Sequence, residues 1–494
     1  MAHSTPCHPC CVLVSIGMNA HGTGFLNDIV EQLWPNICVY AGNMVKETVE
    51  PILTSSLPSP LSNLKFVKID LGHVPIRFSN VDVHKTTTQG IKLDMDLNWD
   101  GVCDIELDGS MVPKVGIEKV RMKGRISVLL CPLINVVPLV GAAQVAFINP
   151  PSLELDFTDA ANVLDSALLS GTIRRTMIGI IEGMAVLPNR FLVKMDNNND
   201  YFKTYQPHQG VLRLTVGRAT NISTPDKKKG GIKGGMSRLM AKVKLEDTPD
   251  CYVKVKVGAE GEWRTSVVDN NHNPEWNETH DFLVADFEQQ IFCDVQDDDT
   301  TDDDDIGLGS TTVKEILLNG GSHELPLSHQ GQPTGASLTV HAQFYHLVSD
   351  ANALSAAASQ GEGQGQGLIC GLATVLIASA LGLQGNRDEL QPSVKVALGD
   401  KTFQTAVKTY TPGTDIFNPS FDQAFRIPLT ADMLANPGTF RISLVNGAQE
   451  VGHAEVPFHY VVGAEGMCVA DTFEVGGGAT VRASIVVRGI QRAE

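Results

Sequence analysis

The chain has 494 residues, enough for about three domains of ~150 residues each. Hydrophobic residues make up 43% and charged residues 19%, so material for large globular cores is present. The formal net charge of −18 argues against a general nucleic-acid binder, yet leaves an anionic membrane open as a partner, because local charge decides that contact. The 10 cysteines show no disulfide-like spacing and point to a reducing, cytosol-facing compartment.

Residues 1–24 carry no convincing targeting signal, since the apolar run Val12–Met18 is short and no basic residue precedes it. His3, Cys7, His8, Cys10 and Cys11 are metal-ligand types, but no second cluster follows at zinc-like spacing, and the stretch is expected to be disordered. From Phe25 to Leu53 the spacing is helical, with Phe25, Ile29, Leu33 and Ile37 on one side and a kink expected at Pro35. Strands are predicted at Leu64–Leu71 and Arg77–Val83. The clearest pattern runs from Gly90 to Asp108, where Ile91, Leu93, Met95, Leu97 and Trp99 alternate with polar residues. That period of two gives a strand with one oily and one wet face. Val120, Met122, Ile126 and Val128 continue the pattern, as do Leu153, Leu155 and Phe157. The uncharged stretch Ile126–Leu153 holds Pro132, Pro138, Pro150 and Pro151, so it reads as strand, loop and strand rather than a membrane span. A second amphipathic helix is predicted over Ala161–Met184, then a strand over Asn189–Met195 and a polar hinge at Asp196–Asp200.

The ordered segments FLNDIVEQLWPNI, DLGHVPIRF, IKLDMDLNWDG, NPPSLELDF and VLPNRFLVKM resemble the SMP domain. This is the synaptotagmin-like, mitochondrial and lipid-binding domain of extended synaptotagmins, tricalbins and plant synaptotagmins. The LWP of the first helix and the LPNRFLV exit carry the likeness most specifically. The resemblance implies, for residues 25–200, a tube-like α/β barrel whose hydrophobic groove holds glycerophospholipid and passes it between apposed membranes. Alternation alone does not separate a packed barrel from one that leaves room for a ligand. With the landmarks, the expected lining is Ile91, Leu93, Met95 and Leu97, then Val120, Met122, Ile126 and Val128, then Leu153, Leu155 and Phe157, with Met177 and Ile181 from the second helix. Methionine suits such a wall because its side chain adapts to its neighbours.

Residues 209–348 form a second unit of short strands with turn signals, the pattern of a β-sandwich. Its PDCYVKV, NPEWNE and DVQDDDTTDDDDIG segments resemble the C2 domain, a calcium- and phospholipid-binding sandwich. Asp294, Asp297–Asp299 and Asp302–Asp305 crowd carboxylates together with no Lys or Arg among them, and Ca²⁺ takes six to eight oxygen ligands. By position in the family motif, Asp297, Asp299 and Asp304 would be loop ligands and Asp250 the aspartate before the second strand. The other first-loop aspartate falls on Lys244, with Glu246 or Asp247 as substitutes, and the third loop looks one residue short. The glycine-rich stretch Asp226–Lys244 carries Lys227, Lys228, Lys229 and Lys233, expected to meet an anionic membrane at ~1 kcal/mol per basic residue.

Residues 349–367 read as a flexible low-complexity linker. Residues 368–494 look like a second, more diverged C2 domain; its acidic positions are replaced by Gln391–Ser393 and Val445–Gly447, so no calcium is expected there. The expected fold class is therefore α+β, with a tubular SMP barrel followed by two all-β sandwiches. The expected function is lipid transfer, docked by a Ca²⁺-dependent first C2 domain on the cytosolic face of membranes, at contacts between endoplasmic reticulum and plasma membrane. A non-transferring tether is the alternative. No Gly-x-Ser-x-Gly elbow or His-Glu-x-x-His helix occurs, so an enzyme is not expected. The resemblance also implies dimers joined through the tube ends, and the family's N-terminal membrane hairpin has no counterpart in these residues.

Overall fold

The computed structural model describes residues 23–57, 63–85, 90–109, 112–158, 166–196, 198–223, 248–298, 304–361 and 367–493. The organising element is a hairpin of two long antiparallel strands, β3 (Ile91–Gly109) and β4 (Val112–Leu130), each of 19 residues. At ~3.3 Å per residue each strand spans roughly 60 Å, which makes the first domain elongated. Short strands line its two ends. β2 (Arg77–Lys85) pairs with β3 near Ile91, and β1 (Lys65–Asp70) pairs with it near Asp108. On the other side, β5 (Ala142–Phe147) and β6 (Ser152–Phe157) divide the length of β4, and β7 (Phe191–Lys194) extends the sheet from β5. The path β1-β3-β4-β5-β7 is not closed on itself among the described residues, so helices complete the wall.

Those helices are α1 (Gly24–Met44), α2 (Glu50–Ser56) and α3 (Ser166–Ala185). α1 continues unbroken through Pro35, and a π-helical stretch follows it at Val45–Val49. The expected apolar face of α1 is also turned. Val30 and Trp34 are buried, whereas Phe25, Ile29 and Leu33 are exposed. Two clamps fix this rotation: Asn27 exchanges hydrogen bonds with the backbone of Phe78, and Trp34 Nε1 donates to the Gly72 carbonyl. Gly72 has φ +70°, and a Cβ there would lie 1.8 Å from the Val102 carbonyl oxygen, so only glycine lets the loop lie flat on β3.

The first sandwich comprises Gly210–Thr220, Cys251–Val257, Trp263–Arg264, Glu275–Val284, Gln290–Asp297, Asp304–Thr312, Ser322–His329 and Gln332–Val348. The second comprises Ile369–Leu381, Pro392–Leu398, Lys401–Gln404, Ser420–Thr430, Thr439–Asn446, Gln449–Pro457, Cys468–Gly476 and Ala479–Arg492. Each encloses its own apolar core. The two are fused edge to edge: Tyr345–Val348 pairs antiparallel with Gly489–Arg492, so one 12-stranded sheet crosses both domains.

Residues 349–361 depart from the expected flexible linker. Ala351–Gly361 is a helix, and Leu354 is buried in the second sandwich's core. Alanine favours helix over coil, and one leucine anchors the turn. Arg213 and Asp281 lock the same seam with paired contacts of 2.9 Å, and Asp281 also accepts from the Ile369 N–H at 2.7 Å.

Candidate lipid groove and loop ends

Along β3 the inward positions from Met95 to Leu107 are buried and the alternate ones face out, as the period-two pattern predicts. Met95, Leu97, Val120, Ile126 and Leu153 are buried in one apolar cluster with Val30, Trp34, Ile173 and Ile180. Leu93, Met122, Val128, Leu155, Phe157, Met177 and Ile181 border the same cluster and are only half-buried. Ile91 lies outside it. The sheet and helix thus bring almost all the expected lining residues to one side, with a seam of partly exposed apolar groups.

Trp34 and Trp99 meet edge to face with ring centroids 5.9 Å apart, and Trp99 Nε1 donates to the Val74 carbonyl at 2.9 Å. Both indoles therefore satisfy their N–H groups on one loop while presenting apolar rings to the interior.

The wet face is tied by Arg121 to Glu154 and Asp156, and by Arg125 to Asp82 and Asp96. Near Ile91 the wet face is not solvated. Asp94 is buried, His84 and Lys92 each reach it at 3.0 Å, and Lys92 also bonds Asp286 of the first sandwich at 2.6 Å. Burial pulls the Lys92 ammonium pKa down, but Asp286 and Asp94 more than reverse this and leave it raised. Asn149 adds two bonds to the backbone of Glu288 and Gln290, and Lys256 pairs with Glu182. Sequence pattern alone missed this docking face, because a charge facing another domain has the same spacing as a charge facing water.

In the first sandwich the strand register places Cys251, Asp297 and Asp304 side by side at one end. Asp297 accepts from the Asp250 N–H at 2.7 Å, and Asp250 accepts from the Asn270 N–H at 2.7 Å. Burial pushes Asp294 up to about 6, against the opposing Gln296 hydrogen bond and with the help of the Asp305 carboxylate. No three His, Cys, Asp or Glu among the described residues lie close enough together to hold a metal ion. Asp247, Asp299, Lys227, Lys228, Lys229 and Lys233 lie outside the described residues.

The second sandwich repeats two of the loop-end hydrogen bonds, with a neutral pair where the first has carboxylates. The Gln391 N–H donates to Asn446 Oδ1 at 2.6 Å where the first has Asp250 donating to Asp297. Thr405 and Thr265 likewise accept from Val394 and Val253 at 2.9 and 3.0 Å.

An open, elongated apolar sheet closed by helices and followed by two fused sandwiches defines an SMP–C2 protein. The synaptotagmin-like mitochondrial-lipid-binding domain family matches residues 19–196, and the C2 domain family matches residues 210–327 and 371–462. The relatives are extended synaptotagmins. Extended synaptotagmin-2 of Homo sapiens is 25% identical over 479 residues, covering 94% of this chain and 50% of the relative. Extended synaptotagmin-2-A of Xenopus laevis is 31% identical over 288 residues, 57% of this chain and 31% of the relative. These matches span 31% to 50% of the relatives' own length. In fold it is similar to a solved structure of the extended-synaptotagmin 2 SMP, C2A and C2B domains, with a TM-score of 0.64, 23% identity, and coverage of 95% of this chain and 99% of that one. No helix among the described residues is long and apolar enough to cross a membrane.

Proposed function

We propose that this chain carries glycerophospholipid between apposed membranes and performs no catalysis. The observation that carries this reading is the seam of half-buried apolar side chains bordering the buried cluster of the first domain. Apolar area removed from water contributes ~25 cal/mol per Å², so acyl chains laid along that seam are held without covalent attachment. The test is native mass spectrometry of full chain incubated with phosphatidylcholine vesicles. Met177→Trp with Ile181→Trp fills the seam from α3, and bound lipid is expected to fall about tenfold while the thermal transition stays in place. Equal lipid loading in the variant would refute the groove. A tether that packs this domain solid would show no lipid in either protein.

We further infer that docking depends on Ca²⁺, held by Asp250, Asp297 and Asp304 together with Asp247 and Asp299. Support comes from the all-oxygen donor set, which suits this cation. Bound Ca²⁺ would offset the negative field at this end and let Lys227, Lys228, Lys229 and Lys233 approach anionic lipid. Asp297→Asn keeps the acceptor for the Asp250 N–H, as Asn446 does in the second sandwich. It is expected to abolish calcium-stimulated liposome sedimentation while leaving lipid loading intact. Sedimentation unchanged by the substitution would remove calcium from the account. We also propose that the exposed stripe Phe25, Ile29 and Leu33 meets a second copy in a dimer. The membrane pair we assign is endoplasmic reticulum and plasma membrane.

A further inference from the structure

The LPNRF segment leaves α3 and enters β7 at the place where the first domain meets the second sandwich. There Arg190 and Lys194 of the first domain face Lys408 and Asp422 of the second sandwich across an open cleft of about 600 Å³. Lys194 is paired with Asp422 at 2.6 Å. Lys408 makes no side-chain hydrogen bond or ion pair among the described residues, and Arg190 Nη1 is fully buried with no hydrogen-bond partner. Arg190 also lines the cleft, and a buried guanidinium N–H is costly unless a water or a ligand meets it. Asp286 and Asp94 act on Arg190 only through space, and burial pushes its pKa down despite them. The lining thus carries three cations against one carboxylate, and that carboxylate is already engaged.

The apolar side of the cleft is Met184 and Phe421. Met184 also borders the apolar cluster of the first domain, on α3 together with Met177 and Ile181. The spacing of Met177, Ile181 and Met184 puts them on one helix face, so an apolar path runs from the seam to the cationic cleft. We propose that this cleft receives the anionic phosphate headgroup of a lipid whose chains lie along α3, with Arg190 and Lys408 as its two charge-assisted donors. The proposal deepens the lipid-carrier reading and rests on it for the position of the chains. It makes headgroup choice a joint property of the first domain and the second sandwich. Arginine recognises phosphate through paired N–H groups, and Lys408 adds a point charge from the opposite wall.

The test loads full chain from vesicles holding equal phosphatidylcholine and phosphatidic acid, and reads bound lipid by native mass spectrometry. Wild type is expected to take up phosphatidic acid in excess. Arg190→Gln and, separately, Lys408→Gln are each expected to lower the ratio of bound phosphatidic acid to phosphatidylcholine about tenfold, with phosphatidylcholine, whose phosphate carries less charge, losing less. The Lys408 side chain has no partner among the described residues, so its variant keeps the test valid if Arg190→Gln fails to fold. A calorimetric titration with glycerol 3-phosphate forms the second arm. Binding there that is lost in both variants supports the site even if no lipid is carried, and identifies soluble phosphate as its source. Uptake of both lipids in a ratio that neither variant changes overturns the headgroup site and leaves the carrier standing. Absence of both lipid and glycerol 3-phosphate binding in wild type overturns the site as well.

Discussion

Replacing Asp281 by alanine is expected to destabilise the fused sandwiches by about 3–5 kcal/mol, because it strands a partly buried guanidinium. The Asp281 side chain is fully buried, and both of its oxygens meet Arg213 at 2.9 Å. It also accepts the Ile369 N–H, the first backbone group of the second sandwich's leading strand. Around the pair, Val211, Leu283, Ile369, Leu372 and Ile490 form an apolar cluster that excludes water. A buried charge whose partner is deleted costs far more than the pair itself contributes. Urea denaturation should show the sandwiches unfolding earlier, with the two transitions separating. A midpoint within error of wild type would mean that the seam is held by the sheet and the apolar cluster alone. Arg213→Met with Asp281→Leu should recover much of the loss, since an apolar pair of similar volume leaves no unpaired charge.

Trp34→Ala is expected to cost about 3–5 kcal/mol in the first domain, the range for deleting a buried large aromatic. The ring is buried, packs edge to face on Trp99, and donates to the Gly72 carbonyl. Its loss removes the contact that sets how α1 lies on the sheet. Trp34→Phe keeps the apolar volume in part and drops the hydrogen bond, so it should fall between the two. Thermal unfolding of the full chain followed by differential scanning calorimetry reads the loss. A shift below that expected from 1 kcal/mol would show that α1 is positioned by Asn27 and Phe78 instead.

The long hairpin was legible because period-two alternation over so many residues has one physical explanation, a strand with one apolar face. The identity of most of the apolar cluster followed from it. The rotation of α1 did not follow, because Phe25, Ile29 and Leu33 satisfy helical spacing as well as Leu26, Val30 and Trp34 do. Only the clamps at Asn27 and Trp34, made to residues distant in sequence, choose between them. The helix at Ala351–Gly361 was hidden by composition: small residues suit both a linker and a helix, and the deciding contact is Leu354 in a distant core. Arg190 was visible only as part of an exit motif. What marks it is an N–H without a partner at a meeting of two domains, which no spacing rule encodes.

The strand pairing of Tyr345–Val348 with Gly489–Arg492 removes any swivel between the two C2 domains. They form a single beam, so the orientation of one sets the angle at which the other meets its surroundings.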